Sequence, residues 1–491
     1  ITGVGGGQNE YALLGIFGRI NYDYMSRYLF EVSGRYDGTS RFARGNRWGF
    51  FPSASVGWRI SEEPFFRPAR RLVDNLKIRA SFGSLGNQNV SSYYTFARLI
   101  SIANLGYTFG EGSVLPKYST LGAPIASDMT WETAQQWDFG FDLTMLGNRL
   151  NLTVDGYIRD TRDMLTDGVE LPGVYGASVP DMNAADLRTK GYEITLNWRD
   201  QLTLGSKPFE YSIGFNLSDY KSVVTKYDNK DKTFAQPYYE GMEIGEIWGF
   251  VTDGLFQSDE EAKAYAEQLD LSYVLKGQTG GWQAGDVKFV NLDGDNKIGI
   301  GSNNVDNPGD RKILGNELPS LSYGITASVR WNGIDVSAFF QGTGNHYWYP
   351  TGQSMPFWGP YSYPYLSFLQ KDFLKDVWSP ENPDAYFPRA MAYSASGGVL
   401  SNVNDRYLQN LRYLRFKTLT VGYTLPQQWT QKAGIEAIRI YFTGENLCYW
   451  SPLKKHTKYV DPEGAIDRSD AYNNAFYPWQ KSFLFGIDVT F

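Results

Sequence analysis

The stretch Asn291-Leu292-Asp293-Gly294-Asp295-Asn296-Lys297-Ile298 carries the sharpest chemical signal in this sequence. Oxygen-bearing side chains at its first, third and fifth positions are what an EF-hand-type loop uses to wrap a hard cation such as Ca²⁺. The backbone carbonyl of the seventh residue, Lys297, would be the next ligand. The sixth position asks for a left-handed turn, which Asn296 can adopt in place of glycine. The carboxylate such a loop takes from its twelfth position is displaced by an insertion, so Asp310 is the best match and Asp306 a substitute. The alternative is a carboxylate-rich turn closed by Asx hydrogen bonds. Either way the group orders a loop and does not catalyse.

A second candidate lies between His346 and Tyr365, where Tyr347, Trp348, Tyr349, Phe357, Trp358, Tyr361, Tyr363 and Tyr365 sit among prolines and glycines. Such rings make rigid amphipathic surfaces. Three uses stay open: stacking on sugar faces, docking a partner protein, and packing of the loop on itself. Glu243 and Glu246 invite a glycosidase reading. Three apart on a strand, however, they face opposite ways, so they read as wall or loop charge. Cys448 is the single cysteine, which excludes an internal disulfide framework and a cysteine zinc site. His346 and His456 are the only histidines. No Ser-His-Asp set, phosphate-cradling glycine loop or histidine metal triad occurs, so neither an enzyme nor a redox or nucleotide cofactor is expected.

The elements that must carry these residues are strands. The chain has 491 residues, and 46 Lys+Arg against 53 Asp+Glu give a formal charge of −7, which argues against nucleic acid as a partner. Mean hydropathy is −0.39, and no run of 18 apolar residues exists, so helical membrane spans are excluded. Yet 16% of the residues are aromatic and 52 are glycine. The apolar signal has period two. Phe483, Phe485, Ile487, Val489 and Phe491 alternate with Ser482, Leu484, Gly486, Asp488 and Thr490. The same alternation runs through Phe209–Leu217, Leu150–Ile158 and Tyr323–Trp331.

A soluble sheet with one wet face and a transmembrane barrel both give this pattern. The segments run roughly 10–14 residues, close to the span a tilted strand needs to cross a bilayer. Aromatics crowd their ends, as Tyr22, Tyr24 and Tyr28 do, like interfacial girdles. Short connections at Asp23–Arg27, Gly147–Asn148, Asp200–Lys207, Asn332–Gly333 and Pro426–Gly434 alternate with long ones. The long ones are Leu85–Thr130, Leu165–Leu187, Lys221–Pro319, His346–Asn410 and Ser451–Lys481, with Ser61–Asn75 an extended short-side connection. Asn332-Gly333 is a primed hairpin turn by composition. Ser258–Leu269 reads as a short surface helix opened by a Ser258/Glu261 capping box. The expected fold is all-β: an outer-membrane barrel of about 13 strands with large outer loops near 85–130, 221–319, 346–410 and 451–481. Because bacterial barrels have even strand numbers, the odd count implies the C-terminal portion of a larger barrel.

Several stretches in family order then become recognisable. They include Gly18-Arg19-Ile20-Asn21-Tyr22-Asp23-Tyr24, Arg35-Tyr36-Asp37-Gly38-Thr39-Ser40-Arg41-Phe42, and Phe51-Pro52-Ser53-Ala54-Ser55-Val56-Gly57-Trp58-Arg59-Ile60. Further along come Trp131-Glu132-Thr133, Gly285-Asp286-Val287-Lys288-Phe289, Asp461-Pro462-Glu463 and Tyr477-Pro478. Together these resemble the SusC/RagA family of TonB-dependent outer-membrane transporters. The resemblance implies a 22-stranded barrel closed by an N-terminal plug. The plug, the TonB-contacting segment and the first strands would come from the same protein or a separate chain. It also implies import of glycans or oligopeptides energised through TonB, a SusD-like lipoprotein lid, and a boundary of lipid or lipopolysaccharide. The family usually has Asp first, Asn third and Gly sixth in the calcium-type loop, and this sequence departs at all three. The competing classes are a passive porin and a surface sugar-binding or adhesin β-protein.

Overall fold

A computed structural model of the chain describes residues 6, 8–90, 93–108, 115–122, 124–126, 128–168, 174, 179–276, 280–366, 369, 371–465 and 479–491. Tyr477-Pro478 lies outside the described residues. Thirteen strands form one sheet in which each pairs only with its neighbours along the chain. They are β1 (Leu13–Tyr24), β2 (Tyr28–Thr39), β3 (Trp48–Arg59), β4 (Val73–Asn87), β5 (Glu132–Met145), β6 (Leu150–Asp167) and β7 (Asp181–Leu204). After these come β8 (Lys207–Lys226), β9 (Ser320–Trp331), β10 (Ile334–Asn345), β11 (Tyr413–Thr424), β12 (Ala437–Trp450) and β13 (Ser482–Thr490). Every pairing is antiparallel, and β1 and β13 stand at the two edges.

Register converts the period-two pattern into two continuous surfaces. On one face Phe30 pairs with Val56, Val56 with Ala80, and Phe141 with Val154. Phe215 pairs with Ile325, Val336 with Val421, and Phe442 with Phe485. The other face carries Ser33 opposite Ser53, Gly214 opposite Thr326, and Arg330 opposite Asp335. A soluble sandwich would bury the first face under a second sheet. Here Val56, Phe139, Ile213, Val421 and Ile487 are all exposed, and Phe485 is 82% so. An apolar belt running across all thirteen strands is far larger than soluble proteins leave in water, and it suits lipid. Aromatics mark its margins, with Tyr24 near Tyr28 at 6.4 Å and Tyr36 stacked on Trp48 at 4.8 Å.

Turn chemistry sets the short end. Asn332 and Gly333 have φ of +49° and +82°, the backbone a type I′ hairpin requires, and they join Trp331 directly to Ile334. Four strands exceed the expected lengths: β4 has 15 residues, β6 has 18, β7 has 24 and β8 has 20. Much of the stretch expected as a connection at Leu165–Leu187 is therefore ladder, since Leu165 pairs with Asn183 and Asp167 with Asp181. Beyond the apolar belt both faces of these strands meet water, so the alternation that announces a strand disappears.

At the other end the connections after β8, β10 and β12 build one folded cap. Small ladders tie it together: Glu246–Phe250 with Arg311–Asn316, Thr252–Leu255 with Val287–Phe289, and Tyr347–Trp348 with Gln409–Asn410. Helix α1 (Asp259–Gln268) begins where Ser258 accepts a hydrogen bond from the Glu261 amide at 3.1 Å. The Glu261 carboxylate reaches one residue further back than a strict capping box, accepting from the Gln257 amide at 2.8 Å.

Candidate functional site

Two regions can meet a solute, the polar wall of the sheet and the cap above it. On the wall, period two aims the side chains of alternate residues into one concave surface. Arg79 on β4 gathers three carboxylates from the next two strands, with Asp155 at 2.6 Å, Asp142 at 3.4 Å and Asp138 at 3.5 Å. Nearer the short turns Arg439 bridges Asp335 at 2.7 Å and Asp488 at 3.2 Å. Hydroxyl pairs lie between these charges: Ser33 with Ser53 at 2.6 Å, Ser212 with Ser328 at 2.7 Å and Thr420 with Thr443 at 3.0 Å. A concavity of about 880 Å³ at the loop end is lined by Phe17, Arg35, Asp37, Leu85 and Trp131. A second of about 660 Å³ lies at the turn end, beside Arg199, Ser212, Arg330 and Asp335. Such a surface is wet and hydrogen-bonding, and it suits contact with a polar solute.

In the cap, the aromatic candidates turn inward. Phe357 and Trp358 are fully buried, and Trp348 is 6% exposed. The Trp358 indole donates to the Pro350 carbonyl at 3.0 Å, and its ring meets Phe357 edge-on at 4.8 Å and Tyr407 at 5.3 Å. The Tyr349 hydroxyl donates to the Leu400 carbonyl at 2.7 Å, and burial drives its pKa well up. Tyr347 is half-buried. Trp348, Phe357 and Trp358 form the cap's core with Phe250, Phe289, Phe387 and Leu411, and Tyr349 packs against it. Of the singled-out loop, Tyr365 faces outward, beside Tyr393. Sequence reasoning missed Tyr386, Phe387 and Tyr407, which complete this core, and the basic pair Arg415 and Lys417 beneath it. Arg and Lys two apart on a strand, with Asp and Glu two apart further on, was the available signal.

The calcium-type turn is closed by its own groups. Asn291 Oδ1 accepts from the Gly294 amide at 2.7 Å, Asp293 from the Asp295 amide at 3.1 Å, and Asp295 from the Lys297 amide at 2.8 Å. The left-handed residue is Gly294, with φ of +78°, and Asn296 does not take that role. Asp310 comes back onto the turn. Its buried carboxylate accepts from the Leu292 amide at 2.6 Å and the Gly299 amide at 2.8 Å, and burial raises its pKa despite both bonds. Among the described residues no three of His, Cys, Asp and Glu gather closely enough to hold a metal as they stand. The side-chain oxygens of Asn291, Asp293 and Asp295 are taken up by the turn's own amides, with Asp310 bracing the turn from behind. Glu246 is engaged by the Tyr239 hydroxyl and by the Trp248 indole at 2.7 Å, while Glu243 pairs with Lys221 at 2.5 Å. Both carboxylates are held by these structural contacts.

Comparison with known proteins fits this arrangement. Residues 3–296 match the family model described as TonB dependent receptor-like, beta-barrel. TonB-dependent receptor P3 of Formosa agariphila is 29% identical over 507 residues, covering 98% of this chain and 46% of that protein. TonB-dependent receptor SusC of Bacteroides thetaiotaomicron is 28% identical over 501 residues, covering 99% and 44%. The chain thus spans about half the length of the curated relatives it matches. The solved structure of the RagAB peptide transporter shares the fold, with a TM-score of 0.72 at 20% identity over 98% of this chain and 48% of that one. These relatives are receptors and transporters, not enzymes. The chain belongs to the TonB-dependent receptor β-barrel family, whose members are outer-membrane barrels.

Proposed function

We propose that this chain is the C-terminal wall and extracellular cap of an importer that carries glycans or oligopeptides across the outer membrane, energised through TonB. A plug and further strands complete the barrel, and a SusD-like surface lipoprotein covers it. One observation carries the reading: a continuous apolar outer belt backs a charged, hydroxyl-lined inner wall in a sheet with two open edges. Unpaired backbone groups at β1 and β13 cost several kcal/mol each in lipid, so further strands must pair with them. A wall bearing this many fixed charges suits a solute that exchanges its hydration for hydrogen bonds.

The reading is tested in intact cells that make the whole protein, with labelled oligosaccharides and labelled oligopeptides supplied outside. Uptake of one class should depend on the protein and stop when an uncoupler collapses the proton gradient. Uptake that persists after uncoupling would identify a passive porin. A protein that stays soluble without detergent would be the adhesin.

A further inference from the structure

The connection between β12 and β13 reaches in two directions at once. Leu453, Val460 and Ala465 sink into the cap core, each 2% exposed or less. His456 stacks on Tyr386 of the same core, with ring centres 3.8 Å apart and an angle of 20°. Between Val460 and Ala465, the segment Asp461-Pro462-Glu463 turns the other way, onto the barrel wall. Both Asp461 oxygens lie 2.6 Å from Arg415 Nη2. Glu463 lies 3.1 Å from Arg415 Nε and accepts from Lys417 Nζ at 2.7 and 2.9 Å.

Local structure explains why these four charges meet. Arg415 and Lys417, two apart on β11, face the same way, and the register with β12 slips beside them, between Phe416 and Thr418. Pro462 fixes the backbone between the two carboxylates, and Asp461 also accepts from the Glu463 amide at 2.9 Å. Aromatic rings shield the group. The Arg415 guanidinium is 4.9 Å from Tyr449 and 5.3 Å from Trp479, and Lys417 is 4.4 Å from Trp479. The Arg415 side chain is 2% exposed. A buried, balanced ion pair adds little strength over apolar packing but can specify one geometry. Here that geometry is the seating of the cap on the wall.

We propose that Asp461-Pro462-Glu463 is a rivet that joins the extracellular cap to β11, making the cap a fixed part of the barrel wall. Gating movement then falls to a separate element. The inference rests on the importer reading for its meaning, but its test measures structure and not transport, so the two can fail separately. Hydrogen exchange is followed in the intact protein in detergent, comparing the parent with the Asp461→Asn/Glu463→Gln double variant. Amides of 457–465 should exchange about tenfold faster or more, while those of 399–411 in the cap core keep their protection. Spin labels at the native Cys448 and at Lys263→Cys on α1 should show a broadened distance distribution in the double variant. Arg415→Lys, which keeps the charge but not the fork of donors, should fall between the two. Should the double variant not be recoverable, Glu463→Gln alone should still give a smaller rise confined to 457–465. Unchanged exchange there, or loss of protection throughout the cap, would overturn the proposal.

Discussion

His346 shows how one buried side chain makes the cap sensitive to acid. It sits where β10 leaves the wall, is 3% exposed, and burial lowers its pKa from 6.5 to about 4. Between those values the unfolded chain takes up a proton that the folded cap refuses, so stability is lost as pH falls from about 6.5 towards 4. The slope is about 1 kcal/mol per pH unit for one such group. His456, lowered chiefly by burial and also by Lys455, acts in the same direction. Protection of cap amides against exchange, measured from pH 7.5 to 4.5, should weaken more steeply in the parent than in His346→Gln; equal slopes would remove His346 from the account. The Asn291–Ile298 turn makes a second residue-scale case. Its Asx bonds and the Asp310 brace close it from within, so melting with Ca²⁺ or with chelator should coincide, in the parent and in Asp293→Asn/Asp295→Asn alike. A calcium-dependent rise present only in the parent would assign the turn to the cation.

At the scale of the element, what could be read in advance follows from where the chemistry is local. A strand with lipid on one side and water on the other writes its period into the sequence, as Phe483–Phe491 does, and Asn332-Gly333 writes its turn. Where both faces meet water the writing fades, and β7 runs 24 residues although its upper part alternates in nothing. The cap is harder still, because Trp358 is defined by Phe387 and Tyr407, which lie far along the chain and in no repeat. Exposed and buried aromatic loops therefore read alike. The two faces of the wall should answer differently to charge. Phe139→Arg, in the middle of the outer belt, should destabilise the barrel by about 2–4 kcal/mol. Ser328→Arg, beside Ser212 on the inner wall, should cost under about 1 kcal/mol. Unfolding of the intact protein in lipid checks both, and equal penalties would mean that the faces are misassigned.

For the whole molecule, the polar average and the aromatic excess have one cause. Half of every strand is dissolved in lipid, half in water, and a large cap with its own aromatic core stands above. The sheet, its belt and its polar wall can be recognised from composition and period alone. The seating of cap on wall cannot, because Arg415 and Asp461 are brought together only by the cap's own folding. Everything proposed about transport depends on the belt facing lipid and the opposite face lining water. Cysteines placed one at a time at Ile325, Thr326, Ser328 and Val329 of β9, in a Cys448→Ser background, measure that directly in outer membranes holding the intact protein. Thr326 and Ser328 should react with a water-borne maleimide, while labels at Ile325 and Val329 should be quenched by a nitroxide carried in the lipid tails. Equal reaction with the water-borne reagent at all four positions would contradict the account.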